Sequence, residues 1–471
     1  MAQGYYYNDP HQHAVFEMFF RKNPFNGGYV VFAGLENLIK IITHFTFSKE
    51  DISYLYDQNI FKNEFLEFLK DFKFSGDIYS IPEGTVVFPN EGIIRVHGTL
   101  IETQLIESIL LNCINFQSLI ATKTARIVDM SEKIPVLEFG LRRAQGIDGA
   151  LSATRAAYIG GASAKYDTYA AKKLIIPVSG TMAHSWVMSY DSELAAFEAY
   201  ADLYPENCIL LIDTYDTLKS GVPNAIKVFK SLKQKINLDN GVYGVRIDSG
   251  DLEYLSKESR KAFDRAGLPE VKIFVSSDMD ESIIKQLRDS NSPIDAWGVG
   301  TKLVTGGDDP ALAGVYKICA IKRDSSYSPC IKISNQSEKI TNPGIKNIMR
   351  FYRNNEMICD LLYLEEEYES LIKKIKSKEP ITFNHPATEY EGFILTDYDT
   401  VEALLKKVIH NGEALEHPPS LSSIRQYKER EIKKLDTTFR RIINPHRYKV
   451  SLSDELKSLK TRLIQDIKSD Y

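Results

Sequence analysis

The sequence predicts an α/β protein built on a parallel sheet, and three observations lead there. From about residue 135 to 320, short β-rich runs alternate with amphipathic helical runs, and alternating β and α units imply parallel strands with helices packed against them. Almost every β-rich run ends in Gly, Ser, Thr or Asp. The chain has 471 residues, 43% hydrophobic and 26% charged, an ordinary globular composition with length for two or three domains.

Taken in order, residues 1 to about 118 read as mixed α/β. "GGYVVFAGL" predicts a strand, "LENLIKIITHF" a helix, and "GTVVFPNEGIIRVHGTL" two short strands paired around a Pro-Asn turn. "IETQLIESILLNCINFQSLIATKTARIVDM" carries a long helical pattern. The middle supplies the β runs "VLEFG", "LIIPVSGT", "CILLIDTYD", "VYGVRIDSGD", "KIFVSSDMDE", "DAWGVGT" and "VYKICAI". Between them lie the helical runs "ELAAFEAYADLY", "VPNAIKVFKSLKQ", "LEYLSKESRKAFDRAG" and "ESIIKQLRD". After Ala320 the alternation weakens into the turn-rich "CIKISNQSEKITNPGIKNIMRFY". From about Asp397, "EALLKKVIH", "SIRQYKEREIKKLDTTFRRI" and "SDELKSLKTRLIQDI" read as charged helices. Acidic residues are interspersed with the basic ones there, the pattern of solvated helices rather than of a nucleic-acid arm.

The net charge of −5 shows no basic excess, so no nucleic-acid partner is expected. The five cysteines, at 113, 208, 319, 330 and 359, form no CxxC pair. That points away from a zinc knuckle or a disulfide framework and toward a reducing, cytoplasmic compartment. "GGYVVFAGL" and "ESILLNCINF" are far too short to span a membrane. "MAQGYYYNDPHQH" lacks the basic-then-apolar pattern of a signal peptide.

In a closed β/α barrel the C-terminal strand ends form one ligand-binding rim, and an open doubly wound sheet binds at the same ends. Candidate chemistry collects there. His184 follows the apolar run of "KLIIPVSGTMAHSWVMSY", where a histidine is either functional or a core or capping group. In "GVRIDSGDL", Arg246 and Asp248 share one strand face, and Ser249-Gly250-Asp251 opens a helix. Such a helix start suits a phosphate, or else Ser249 or Asp251 caps it. In "WGVGTKLVTGG", Gly298 and Gly300 permit close backbone approach and Thr301 offers a hydroxyl, without a P-loop or dinucleotide fingerprint. Asp213 and Asp216 of "ILLIDTYDTLKSG" can hold Mg²⁺ or a sugar hydroxyl, or serve turns and caps. In "EFGLRRAQGIDGALSATRAAYIGG", Glu138, Arg142, Arg143 and Arg155 fall near one rim, for anions or for a structural ion pair.

In their order, these segments resemble the nicotinate phosphoribosyltransferase family. The resemblance rests on EFGLRRAQGIDGALSATRAAYIGG, IPVSGTMAHSWVMS, LLIDTYDTLKSGVPNAIKV, GVRIDSGDL, SSDMDE, WGVGTKLVT and ALAGVYKI. It extends to FFRKNPFNGGYVVFAGL, IPEGTVVFPNE, NFQSLIATKTAR and NPGIKNIMRFY, covering roughly residues 1 to 355. It implies an irregular β/α barrel with a second α/β domain built from the two chain ends. The domains are then 1–118 (N-terminal α/β), 119–322 (catalytic barrel), 323–396 (a return segment completing the first domain) and 397–471 (a helical extension). It also implies synthesis of nicotinate mononucleotide from nicotinate and phosphoribosyl diphosphate, in the salvage branch of NAD biosynthesis. That reaction is coupled to ATP, ligase-fashion, through a phosphohistidine at His184, with Mg²⁺ and in a homodimer. By the same resemblance Thr181, Arg246 and Arg142 meet nicotinate. Thr301 meets the phosphoribosyl group, with Gly298, Gly300, Asp248, Ser249, Gly250 and Asp251 around phosphate or ribose. A nicotinamide or quinolinate phosphoribosyltransferase, or a catalytically silent nucleotide-binding relative, is the alternative. Two departures stand out. The family's Asp-Leu-Tyr-Gln segment, whose tyrosine reaches nicotinate, would precede Met1. A Gly-Thr-Ser-Asn loop is matched by Ala164, Lys165, Tyr166 and Asp167.

Overall fold

The computed structural model describes residues 1–165, 168–178, 180–235, 241–388 and 391–469. The chain divides into two compact units, Met1–Leu119 with Ala311–Tyr471, and Ile120–Pro310.

In the first unit the two chain ends share their sheets. A seven-stranded sheet runs in the order Ser326–Pro329, Gly314–Arg323, His13–Phe20, Ile94–Thr99, Asp77–Ser80, Lys406–His410, Glu413–Ala414. A four-stranded sheet places Lys346–Arg353 and Glu356–Leu364 between Thr400–Ala403 and Val450–Leu452. Apolar residues from both ends meet in one core, with Phe16, Phe20 and Val96 packed in the same cluster as Ile348, Leu362 and Leu452. The guanidinium of Arg350, fully buried, donates to the Asp360 carboxylate and to the Val86 carbonyl.

Three expectations change in this unit. The end of the barrel domain moves from 322 back to 310, because Gly314–Arg323, which contains "VYKICAI", pairs antiparallel with His13–Phe20. "EALLKKVIH" forms the strands Thr400–Ala403 and Lys406–His410 instead of a helix, so 397–471 is not a helical extension. Its residues find strand partners at Met349–Tyr352 and Ile78–Ser80, and such pairing overrides a weak helical preference. Helices do form at Leu421–Lys434 and Asp454–Ser469. The two strands of "GTVVFPNEGIIRVHGTL" do not pair with each other. Val86–Val87 joins Val30–Val31, and Ile94–Thr99 joins His13–Phe20. Asn90, at φ 71, turns the chain between them.

The second unit holds a six-stranded parallel sheet in the order Ala164–Lys165, Val136–Glu138, Ala296–Val299, Lys272–Ser277, Val242–Ile247, Asn207–Leu211. Val245, Ile247, Ile273, Val275, Trp297 and Val299 are buried in it. Helices such as Val222–Lys235, Leu252–Arg265 and Glu281–Asp289 follow the strands, giving the layout of an irregular β/α barrel. Parallel strands bring all their C-terminal ends to one side. "LIIPVSGT" forms no strand among the described residues. Helix Thr168–Leu174 stops at Ile175, which is left-handed at φ 55, and Pro177 offers no N–H to a ladder. No helix among the described residues is long and apolar enough to cross a membrane. All five cysteines are free thiols.

Candidate active site

The strand ends of the barrel unit surround a cavity of about 330 Å³. Its wall includes Phe139, Arg142 and Arg143 after the first strand, Arg246 and Asp248 around the fourth, and Ser276, Ser277 and Asp278 around the fifth. Gly298, Gly300 and Thr301 complete it beside Met182 and Ala183. Three guanidinium groups face two carboxylates, so the cavity favours an anionic ligand.

Each side chain is held by its neighbours. Arg246 donates from Nη1 to the Thr181 hydroxyl, and its guanidinium lies 6.0 Å from the Phe139 ring centre. Ser276 donates its hydroxyl to Asp248 Oδ1. The Phe139 ring rests on Gly298. A Cβ at that position would come within 2.6 Å of the ring, so the glycine sets the height of the aromatic wall. The buried Glu138 carboxylate accepts from Gly140 N–H and from the Thr154 hydroxyl, 3.0 Å away, and shapes the turn that presents Phe139 and Arg142.

Beside the cavity stands a second constellation. His184 begins a short helix, His184–Met188, and its Nε2 lies 3.2 Å from Asp213 Oδ1. The Asp213 side chain is only 2% exposed while that of His184 is 41% exposed, so a buried carboxylate orients an accessible imidazole. Asp213 Oδ2 accepts from the Asp248 N–H at 3.0 Å and from the Ser249 hydroxyl at 2.6 Å.

The structure therefore sorts the expected residues. Arg142, Arg246, Asp248, Gly298, Gly300 and Thr301 line one cavity, with Thr181 bonded to Arg246. His184, Asp213 and Ser249 form the adjoining group. Asp251 caps helix Leu252–Arg265 through the Tyr254 N–H, and Gly250 supplies a left-handed turn at φ 87. Asp216 caps the following turn by accepting from Leu218 and Lys219 N–H. Arg155 is buried inside helix Gly146–Gly160 instead of standing on the rim. Tyr166 and Asp167 of the departing loop, and Ser179, lie outside the described residues. Phe139, Ser276, Ser277 and Asp278 have no assigned role in the sequence reading, although "VLEFG" and "SSDMDE" place them at strand ends. Among the described residues no cluster of three or more His, Cys, Asp or Glu side chains is placed to hold a metal alone. The Asp248 and Asp278 carboxylates on the cavity wall fit a cation of the Mg²⁺ kind, which takes one or two carboxylates and completes its shell from water and substrate phosphate.

The crystal structure of human nicotinic acid phosphoribosyltransferase superposes with a TM-score of 0.84 at 28% identity, covering 98% of each chain. That of nicotinate-nucleotide pyrophosphorylase from Pyrococcus furiosus gives 0.66 at 20% identity over 92% of each, a likeness of fold. Fold and rim together define a protein of the type II phosphoribosyltransferase class. Models of the nicotinate phosphoribosyltransferase N-terminal domain, family and C-terminal domain match residues 1–115, 134–368 and 345–460. The nicotinate phosphoribosyltransferase of Bacillus subtilis is 42% identical over 472 residues, spanning 100% of this chain and 94% of its own. The human enzyme is 31% identical over 95% of this chain and 91% of its own. The chain belongs to the nicotinate phosphoribosyltransferase family.

Proposed function

We propose that the protein forms nicotinate mononucleotide from nicotinate and phosphoribosyl diphosphate, in NAD biosynthesis, and couples the reaction to ATP through a phosphohistidine at His184. One observation carries the transfer half: Phe139, Arg246 with Thr181, Asp248 and Thr301 meet around a single cavity. An aromatic face beside a guanidinium suits a planar ring bearing a carboxylate. Asp248 and the Gly300-Thr301 backbone suit ribose and phosphate. The ring nitrogen of nicotinate bonds to the anomeric carbon as the bond from that carbon to the diphosphate oxygen breaks, and diphosphate leaves with the electron pair. Arg142, which the family resemblance gives to nicotinate with Arg246, and Arg143 are both exposed on the wall, and their charges suit the carboxylate and the phosphates. Asp248 and Asp278 would hold Mg²⁺, which when bound neutralises diphosphate charge.

The ATP half is supported by the His184–Asp213 contact. A carboxylate on Nε2 holds the proton there and leaves Nδ1 as the nucleophile for the γ-phosphate. The phosphorus–oxygen bond to ADP breaks as the nitrogen–phosphorus bond forms. His184→Ala should abolish acid-labile label from γ-labelled ATP while some ATP-independent transfer survives. Undiminished label in the variant overturns the assignment. The free thiols support a cytoplasmic location.

A homodimer is what the family resemblance implies, and the barrel unit has exposed apolar side chains available to such a contact at Leu141, Ile147, Ile175, Val178 and Met188. Sedimentation should give twice the chain mass, and a monomer at micromolar concentration would refute it.

A further inference from the structure

We propose that Glu193 is a positioning residue that holds the His184 segment and the Asp213 loop in register. Glu193 is 4% exposed and lies in the first turn of helix Glu193–Leu203, outside the cavity wall. Its Oε2 accepts from the Ser220 hydroxyl and from Asn224 Nδ2, the latter at 3.0 Å. Ser220 sits in a π-helical turn, Thr217–Gly221, where the Asp216 carbonyl accepts from both Ser220 and Gly221 N–H. Such turns concentrate at functional sites because they insert one residue and re-aim what precedes them. Directly before this one comes its cap, Asp216, with Asp213 three residues further back. Gly221 is pressed against Ile212, where a Cβ would come within 2.0 Å of the Ile212 carbonyl oxygen, so moving the turn moves the residue next to Asp213.

The other end of the clamp reaches His184. Trp186, two residues on, donates from Nε1 to the Ala196 carbonyl of the helix that Glu193 opens, at 3.0 Å. One path therefore runs from His184 through Trp186 and Glu193 to the turn behind Asp213. It fixes both partners of a 3.2 Å contact from outside the cavity.

The test uses the full chain and three variants, Glu193→Ala, Glu193→Gln and the Ser220→Ala/Asn224→Ala pair. Two readouts are compared: the tautomer of His184 by ¹⁵N-histidine NMR, and label taken from γ-labelled ATP against ATP-independent transfer. Glu193→Ala should lose the Nε2–H tautomer preference and take up label about ten- to a hundredfold more slowly, the order expected of a small misplacement. ATP-independent transfer should fall far less than labelling, since the path meets the cavity wall only through backbone groups, where Asp213 accepts from the Asp248 N–H and Ile212 donates to the Arg246 carbonyl. Glu193→Gln should keep the tautomer preference, because one amide oxygen can accept both hydrogen bonds, and lose only some stability, because its NH2 takes the place of the buried, unpartnered Oε1. The double variant should reproduce Glu193→Ala, and decides the matter if that variant fails to fold. An unchanged tautomer in Glu193→Ala, equal loss of both activities, or a Gln variant as impaired as the Ala variant would overturn the proposal. It rests on the phosphohistidine reading for the labelling arm alone. A wild type that takes no label refutes that reading, and the tautomer comparison still decides the role of Glu193.

Discussion

Arg246 is the residue at which an acid and an amide should part. It is half-buried on the cavity wall, bonded to Thr181 and set beside the Phe139 ring. A nicotinate carboxylate would complete a charge-assisted pair with it, whereas nicotinamide would leave the guanidinium without that counter-charge. Removing one partner of a desolvated charge pair costs about 2–5 kcal/mol, and partial exposure puts the expectation at the lower end. Arg246→Ala should therefore depress kcat/KM for nicotinate strongly and for nicotinamide little. The comparison is made with both bases in wild type and variant, and a variant that keeps full preference for the acid removes Arg246 from this role. Residue identity was legible here, since Arg246 and Asp248 alternate with apolar residues on one strand. The separate duties of Asp213 and Asp216 were not legible. Both follow the same strand, and only the folded chain sets one against an imidazole and the other against two backbone N–H groups.

At the scale of elements, the start of helix Leu252–Arg265 separates capping from ligand binding. Asp251 accepts from Tyr254 N–H at 3.0 Å and does not line the cavity, while Asp248 does. Asp251→Ala should lower stability by about 0.5–2 kcal/mol, as loss of an N-cap does, and leave the nicotinate KM unchanged. Thermal melting beside steady-state kinetics checks this. A raised KM with an unchanged melting point would make Asp251 a ligand contact instead. The alternation of strands and helices between 135 and 300 was readable because buried parallel strands are short continuous apolar runs. "LIIPVSGT" satisfies the same pattern and yet forms no strand among the described residues. Ile175 is 92% exposed there and left-handed, so apolarity alone did not secure a sheet position.

At the scale of the whole molecule, the unit built from both chain ends carries a buried lysine that ties stability to pH. Lys460 bonds Asn342 Oδ1 at 2.8 Å and the Pro386 carbonyl at 3.1 Å. Burial first, and then Lys457 and Lys346, lowers its pKa from 10.5 to about 8. A lowered pKa on a cationic group means that the unfolded chain binds the proton more tightly. The destabilisation is then complete below pH 8 and is relieved as pH rises from 8 toward 10.5. Its size is at most about 3 kcal/mol, partly offset by two hydrogen bonds of about 1 kcal/mol each. Lys460→Met should melt higher than wild type at pH 7, with the gap closing across that interval. Melting curves at several pH values test this, and a gap independent of pH would refute it.

What the sequence determined by itself was five of the six strands of the barrel unit's sheet, the side on which their polar ends collect, and the family. Each depends on local runs and motifs that need no distant partner. Tertiary structure decided where the units divide, since Gly314–Arg323 and Lys406–His410 take their identity from strands some three hundred residues earlier. It also decided which strand-end residues face one another. Phe139 becomes part of the cavity because Gly298, on a neighbouring strand, leaves room beneath its ring. Hydrogen-bond register and steric fit between segments remote in sequence exist only once the chain has closed on itself, and those contacts turn a row of polar strand ends into a site.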